Sequence, residues 1–536
     1  MSTVIAPPAP APSAPGPPGP IPEIRLPPRL QRIPSRVAIG VGLLLLTVVS
    51  LILRTRYING QLWDDEGLTV GIASHSLSAI PGVLRHDGSP PLYYLMLHVW
   101  MALFGSSEAE THSLSLLFSM LAIPAGLWAG WSLFGRRAGL MAAVLFGFSS
   151  FLTSYGQETR MYSLMGLLGI LAAAGFVHGF VYRRRRYLIL FAVSLALMLY
   201  THAWGLFYGA GGALALVPIW YASDDRRGLA RDAALTFIGA GVLFLPWLPN
   251  FIYQATHTGA PWDSAPRFGA PVQLSRDLLG GDRVTGVLVL GAAIGLAALF
   301  TRAYRRTRDG SAMFALLSLP VATLLLAWIA SQVTPAWVSR YFAPILGAVL
   351  LLAALGLSRA GVAGPVALAL SCIFLINVAS YTPKYKSDMR DVGGEMAPLL
   401  HPGDLVISGQ PDQIAVTWYY MPGGLRWAST IGPVSDPRYM NWVDALKRLQ
   451  DANPATTFTR LMATVQPGQQ ILFVRPLTAG AENWEAPWTQ LVRRRSAQWG
   501  DLFSSDKQLQ VVATAPHAFP GATILADSAV LYKKVS

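Results

Sequence analysis

PLYYLMLHVWMALFGSSEAETHSLSLLFSMLAIPAGLWAGWSLF, residues 91–134, contains two apolar segments, and the topology of the whole chain turns on how many of them cross a membrane. The composition already points to a bilayer: 53% of the residues are hydrophobic and only 13% are charged, a balance that excludes an ordinary soluble globule. A membrane-crossing helix needs about 20 mainly apolar residues, and cytoplasmic loops carry an excess of Lys and Arg. Basic clusters fall at Arg136 and Arg137, Arg183 to Arg186, Arg226 to Arg231, Arg302 to Arg308, and Arg359. Placing all of them on one side requires paired spans between them, at 138–155 and 160–182, 187–203 and 205–222, 232–251 and 284–301, and 312–331 and 341–358. The run Val37–Leu53 follows Arg25, Arg29, Arg32 and Arg36 and has no small-residue cleavage site after it, so it reads as an uncleaved first span with a cytoplasmic N-terminus. Between this span and Arg136 the chain can then cross only once. Segment 113–134 is long enough; segment 91–105 is short, contains His98 and follows Pro90 and Pro91, and is assigned to an interfacial helix on the outer leaflet, with 66–80 as a second. A last span near 363–380 completes a polytopic α-helical membrane protein of about 11 transmembrane helices.

Three regions follow from this topology. Residues 1–36, with the tract APPAPAPSAPGPPGPIP, are expected to form a disordered cytoplasmic tail, because they hold many prolines and few large apolar side chains. Residues 37–381 form the membrane domain, with outer loops at 54–111 and 252–283. Residues 382–536 change character: GDLVISG, QQILFVRP, LQVVATA and AVLYKKV read as strands, separated by helical stretches around 411–421 and 483–500. An extracytoplasmic soluble α/β domain is the expectation. PGD at 402–404 and PGQ at 467–469 each precede a strand and hint at repeated βα-type units. The net charge of +13 sits in short clusters between apolar runs, where it sets orientation in the membrane lipids rather than binding nucleic acid. Cys372 is the only cysteine, so a disulfide framework and a cysteine-rich zinc site are both excluded.

Every polar constellation of note falls at the outer end of a span or in an outer loop. LWDDEGLT, residues 62–69, places Asp64, Asp65 and Glu66 together; HDGSPP holds His86 and Asp87; SYGQETRMY holds Glu158, Arg160 and Tyr162; YTHAW holds His202; VSRYF holds Arg340 and Tyr341; and the long loop after LPWLPN holds Trp262. Adjacent carboxylates raise one another's proton affinity, which suits a general base, and they also suit Mg2+ or Mn2+, which prefer oxygen ligands. A solvated loop accounts for three acids equally well. Arg160 and Arg340 present planar forks that match phosphate oxygens, whereas a lone Arg at a helix end also serves as an interfacial anchor. His202 fits a core histidine, Tyr162 and Tyr341 fit an aromatic belt, and Trp262 fits either a sugar-stacking or an interfacial position.

The ordered set WDDE, GSPPLYYL, GSSE, FGRRAG, SYGQETRMYSL, YTHAWGLF, LPWLPN and SRYFAP, spread over residues 37–390, resembles the family 39-like bacterial glycosyltransferases of the GT-C superfamily. These are relatives of protein O-mannosyltransferases and lipid A aminoarabinose transferases. The resemblance implies Asp65 as catalytic base with Glu66 supporting it, and Asp64 at a variable position. It implies Arg160, with Arg340 and Tyr341, at the donor phosphate, and Glu158, Tyr162 and His202 along the pocket; the shared outer-face location adds Asp64, His86, Asp87 and Trp262 to the expected pocket. His112 in THS is a departure, since many relatives carry Arg before that Ser. The implied reaction is inverting transfer of one sugar from a polyprenyl-phosphate donor to a hydroxyl of an envelope glycan, lipid or protein, at the outer face of a bacterial inner membrane. No cofactor is expected; a divalent metal on Asp65 and Glu66 is the weaker alternative. A lipid-linked-sugar transporter and a noncatalytic envelope-binding scaffold are the competing classes.

Overall fold

A computed structural model describes residues 35–300, 307–378, 386–476, 486–516 and 527–535. The expected Pro-rich tail up to residue 34, most of the basic cluster at 302–308 and the end of the last expected span lie outside the described residues. The chain divides into two compact units, Met1–Leu44 and Leu45–Ser536.

The first helices are α1 (Ser35–Thr55), α2 (Asp64–Ala73), α3 (Ile80–Asp87), α4 (Leu92–Phe104) and α5 (Glu108–Phe134). Among the described residues a helix occupies each of the 11 expected spans, yet only five helices are long and apolar enough to cross a bilayer on their own. Two bent pairs raise this to seven: Arg226–Phe244 with Leu248–His257, at 79°, and Ala270–Leu279 with Asp282–Leu296, at 89°. Other segments are short or broken. Arg186–Thr201 has 16 residues and reaches only about 24 Å at the α-helical rise, and segment 138–155 breaks at Ser149 into Arg136–Phe148 and Ser150–Tyr155. Ile189, Leu235, Ile238, Leu290 and Leu325 are exposed although apolar. Such faces on stacked helices are those of a multi-pass membrane protein.

Small residues set how closely the helices approach. A Cβ on Gly169 would strike the backbone of Pro344, and one on Gly347 would strike Gly169, so the two helices cross backbone to backbone. Arg54, fully buried at the end of α1, closes its crossing by donating to the carbonyls of Ser119 at 2.5 Å and Phe146 at 2.6 Å.

The C-terminal region builds a six-stranded mixed sheet in the order β3-β2-β1-β4-β6-β5, from β1 (Leu405–Ser408), β2 (Arg426–Ser429), β3 (Gly432–Val434), β4 (Gln470–Pro476), β5 (Leu509–Ala515) and β6 (Asp527–Lys534). β1 pairs in parallel with β2 and β4, while the remaining pairs are antiparallel. The PGD and PGQ turns open β1 and β4, with Gly403 and Gly468 at φ 93° and 90°, the left-handed region where glycine is favoured. β1 is buried at all four positions, as a central strand covered on both faces should be. The four strands and two helices read from the sequence all form. β2 and β3, of four and three residues, were not anticipated because neither is long enough to show alternation.

One expectation about the outer loops is corrected. α2 is not an interfacial helix: every residue from Glu66 to Ala73 is buried against protein. Gly67 and Gly71 make this burial possible by letting the backbones of Val416 and Arg438 approach. α4, by contrast, leaves the apolar side chains of Val99, Leu103 and Phe104 exposed. Segment 252–283 contains the end of Leu248–His257 and all of Ala270–Leu279.

Candidate active site

The three acids of WDDE occupy the first turn of α2, where the helix dipole favours negative charge. Successive side chains on a helix diverge by about 100°, so the three point to different surroundings.

Asp65 faces two guanidiniums. Its Oδ2 lies 3.2 Å from Arg340 Nη2 and 3.6 Å from Arg160 Nη2. Arg160 is anchored by donating from Nη1 to Thr69 Oγ1 at 2.8 Å and to the Asp65 carbonyl at 3.2 Å. Arg340, on a single 3-10 turn at Ser339–Phe342, donates from Nε to the Tyr162 hydroxyl at 3.0 Å. Arg160 reaches the same hydroxyl at 3.5 Å, so Tyr162 sets the spacing of the two cations from behind.

Glu66 points the other way and is completely buried. Its carboxylate meets Lys386 Nζ at 2.6 Å and His112 Nε2 at 2.7 Å, and accepts from the backbone N of Thr159 at 2.7 Å and of Trp63 at 3.4 Å. Burial pushes this carboxyl up, but Lys386 and His112 outweigh burial and hold it at about 2. Lys386 further donates to the Gln157 carbonyl at 3.2 Å, and His112 Nδ1 is 2.6 Å from the Ile58 carbonyl oxygen. The cluster therefore ties α2, α5, the loop carrying Arg160 and the start of the C-terminal region to one carboxylate. The departure at His112 has a structural explanation, since the imidazole meets one carboxylate oxygen of Glu66 and Lys386 the other.

A cavity of about 890 Å³ opens beside α2. Asp64, Asp65, Asp87, Arg160, His202, Trp262, Arg340 and Tyr341 all line it, joined by Trp63, Asp263, Gln410, Asp412, Trp442 and Trp488. Burial pushes the Asp87 carboxyl up to about 6, against the opposing pull of Ser89 and Arg160. Tyr341 packs its ring 4.6 Å from that of His202 and 5.4 Å from that of Trp204.

Four expected site residues do not line the cavity. Glu66 is enclosed as described and faces Lys386 and His112 rather than the cavity. Among the described residues no group of three or more His, Cys, Asp or Glu is arranged to hold a metal ion. His86 turns away to the Gly82 carbonyl at 3.0 Å and the ring of Tyr253. Tyr162 is 1% exposed behind the arginines. Glu158 is also buried, and burial together with the charge of Glu66 pushes its carboxyl up to about 7. Sequence reasoning missed Lys386, Gln410, Asp412, Trp442 and Trp488, all from the C-terminal region. Their only signal was a run of polar and aromatic residues following the last apolar segment.

No protein-family model and no curated protein sequence matches the chain. Solved structures do. ArnT from Cupriavidus metallidurans in the apo state aligns at a TM-score of 0.61 with 14% identity, covering 93% of this chain and 98% of that one. The same protein bound to undecaprenyl phosphate aligns at 0.58, with the same identity and coverage. The mycobacterial arabinofuranosyltransferase AftD aligns at 0.52 with 16% identity, over 92% of this chain but 42% of its own length. The chain thus shares the fold of these structures, with the Asp65 cavity set among its helices.

Proposed function

We propose that this protein is a membrane glycosyltransferase that moves a single sugar from a polyprenyl-phosphate donor to an acceptor hydroxyl on the outer face of a bacterial cell membrane. The observation that carries this reading is one carboxylate between two guanidiniums on a cavity wall, Asp65 with Arg160 and Arg340. Fold likeness to a protein that binds undecaprenyl phosphate and to an arabinofuranosyltransferase supports the donor class.

A phosphate entering between the guanidiniums competes for the N–H donors that Asp65 uses, because both are planar forks matched to oxyanions. Asp65 is released toward the acceptor. The acceptor oxygen bonds to the anomeric carbon as the bond from that carbon to the phosphate oxygen breaks. The hydroxyl proton passes to Asp65, and the electron pair leaves on the lipid phosphate, whose charge Arg160 and Arg340 balance. Displacement from the side opposite the phosphate inverts the anomeric centre. Glu66 takes no part in proton transfer and acts as a positioning residue, holding the first turn of α2 so that Asp65 faces the cations.

The test is transfer by detergent-purified protein from a labelled polyprenyl-phosphate sugar. Asp65→Asn is expected to lower the rate about 10²- to 10⁴-fold, the range of a lost general base. Full transfer by that variant sinks the assignment. In sealed vesicles reconstituted with the protein, unchanged lipid turnover with loss of export favours a transporter instead.

A further inference from the structure

The cavity is electrically lopsided. Arg160 and Arg340 are the two cationic side chains among its lining residues, and both gather at Asp65, where the transferase reading puts the donor phosphate. The remaining charged lining is acidic: Asp64, Asp87, Asp263 and Asp412. Asp412 belongs to the C-terminal region, and its position is built rather than incidental. Gln410 Nε2 donates to Asp412 Oδ2 at 2.9 Å, and Trp488 Nε1 donates to Asp412 Oδ1 at 3.2 Å. A carboxylate oxygen has capacity for a second donor, so Asp412 can accept further hydrogen bonds from a ligand in the cavity.

Aromatic side chains complete this wall. Trp442 and Trp488 are only 7% and 2% exposed, so they brace the wall rather than meet a ligand broadly. Trp262 packs 4.4 Å from Trp442, is the less buried of the set and lines the cavity. Trp63, 8% exposed, lines the same cavity next to Asp64 with an indole Nε1 that has no partner among the described residues. A donor buried beyond nine-tenths without a partner is rare and points to a polar ligand. The segment carrying Trp262 is fixed to the C-terminal region by backbone hydrogen bonds, Trp488 N to Pro261 O at 3.1 Å and Asp444 N to His257 O at 3.1 Å.

We propose that the wall made by Trp262 and the C-terminal region is the acceptor subsite, and that it takes a neutral polyhydroxylated ring, hydrogen-bonded by Asp412 and covered on one face by Trp262. This rests on the transferase reading and narrows it. An apolar surface with a few fixed polar groups is the usual form of a small-ligand site, and carboxylates accept from sugar hydroxyls. A phosphorylated acceptor would sit among Asp64, Asp263 and Asp412, with the two arginines already engaged by the donor. The acid wall therefore selects against anionic acceptors, and the C-terminal region contributes to acceptor choice and not only to stability.

The experiment uses the full-length purified protein and octyl glycosides as probes, neutral and 6-phosphorylated. Binding is read by tryptophan fluorescence with polyprenyl phosphate present to occupy Arg160 and Arg340, and transfer is read with labelled polyprenyl-phosphate sugar. Neutral glycosides are expected to bind at millimolar concentration, and the phosphorylated ones about 100-fold more weakly. Asp412→Asn, nearly isosteric, is expected to raise the acceptor Kd and KM about 10- to 100-fold, while the donor KM moves less than about 3-fold. Trp262→Ala should act in the same direction. The proposal is overturned if no neutral glycoside binds, if the phosphorylated forms bind as tightly, or if both variants leave acceptor binding unchanged. Absence of transfer by the wild-type protein alongside selective, Asp412-dependent binding of neutral glycosides overturns the transferase reading and leaves the subsite standing.

Discussion

Neighbours on a helix cannot share one task when they point about 100° apart, and the residues of WDDE divide accordingly. Asp65 meets cations at the cavity, whereas Glu66 is sealed between Lys386 and His112, with side-chain exposures of 0% for Glu66 and 1% for Lys386. Such a pair is worth little against a well-packed apolar substitute, but removing one partner leaves a bare charge in the interior and costs about 3–5 kcal/mol. Lys386→Met is therefore expected to lower the thermal midpoint sharply and to depress transfer through misplacement of Asp65. The double variant Glu66→Gln with Lys386→Met should recover part of that stability, because no uncompensated charge remains. Thermal unfolding of the two single variants and the double variant in detergent measures the coupling. Strict additivity would mean that the ion pair does not organise the site. The sequence displayed the acids but not this partnership: His112 and Lys386 stand 274 positions apart, and no local pattern links them.

α2 is the element on which the site depends, and its glycines do more than permit a helix. A Cβ at Gly67 would fall on the backbone of Val416, and one at Gly71 on the backbone of Arg438, so the helix and the C-terminal region touch with no side chain between them. Overpacking of this kind costs about 1–3 kcal/mol, and more where backbone rather than side chain must yield. Gly67→Ala is expected to push α2 away from the helix Ile414–Tyr420, to lower the thermal midpoint and to reduce transfer, although it leaves every charged group in place. A variant with wild-type activity and stability would show that the contact is slack. The same contact explains why α2 was misread as interfacial. Its apolar composition is equally suited to lipid or to protein, and only the tertiary partner decides. Spans and strands were legible because bilayer thickness and strand alternation impose local runs. The cavity wall from Gln410, Asp412, Trp442 and Trp488 was not, because those residues converge only through the order of the sheet.

At the scale of the molecule, the cavity and its attachments constrain the topology independently of hydropathy. The loop bearing α2 to α4, the loop at Arg160, the turn at His202, the segment 248–264, the turn at Arg340 and the region after Lys386 meet around one site. Groups that meet around an extramembranous site lie on the same side of the bilayer, so the chain crosses an even number of times between each and the next. One pair of helical segments is available in each interval: α5 with the broken helix up to Tyr155, Tyr162–Val181 with Arg186–Thr201, Gly205–Ala222 with Arg226–Phe244, Asp282–Leu296 with Arg308–Val333, and Ile345–Arg359 with Ala363–Val378. On that placement five pairs and α1 would give the expected 11, and would require the short helices to cross despite their length, which local thinning of the bilayer accommodates at modest cost. The expected outcome is that, after Cys372→Ser, a cysteine introduced as Ser505→Cys is labelled by a membrane-impermeant maleimide in intact spheroplasts. Arg227→Cys, exposed in the first turn of Arg226–Phe244, should be labelled only after permeabilisation. Labelling of both from outside would break the parity argument, since one of the short helices would then not cross. The reverse pattern would put the cavity in the cytoplasm, where nucleotide sugars are present and a lipid-borne donor would no longer be required.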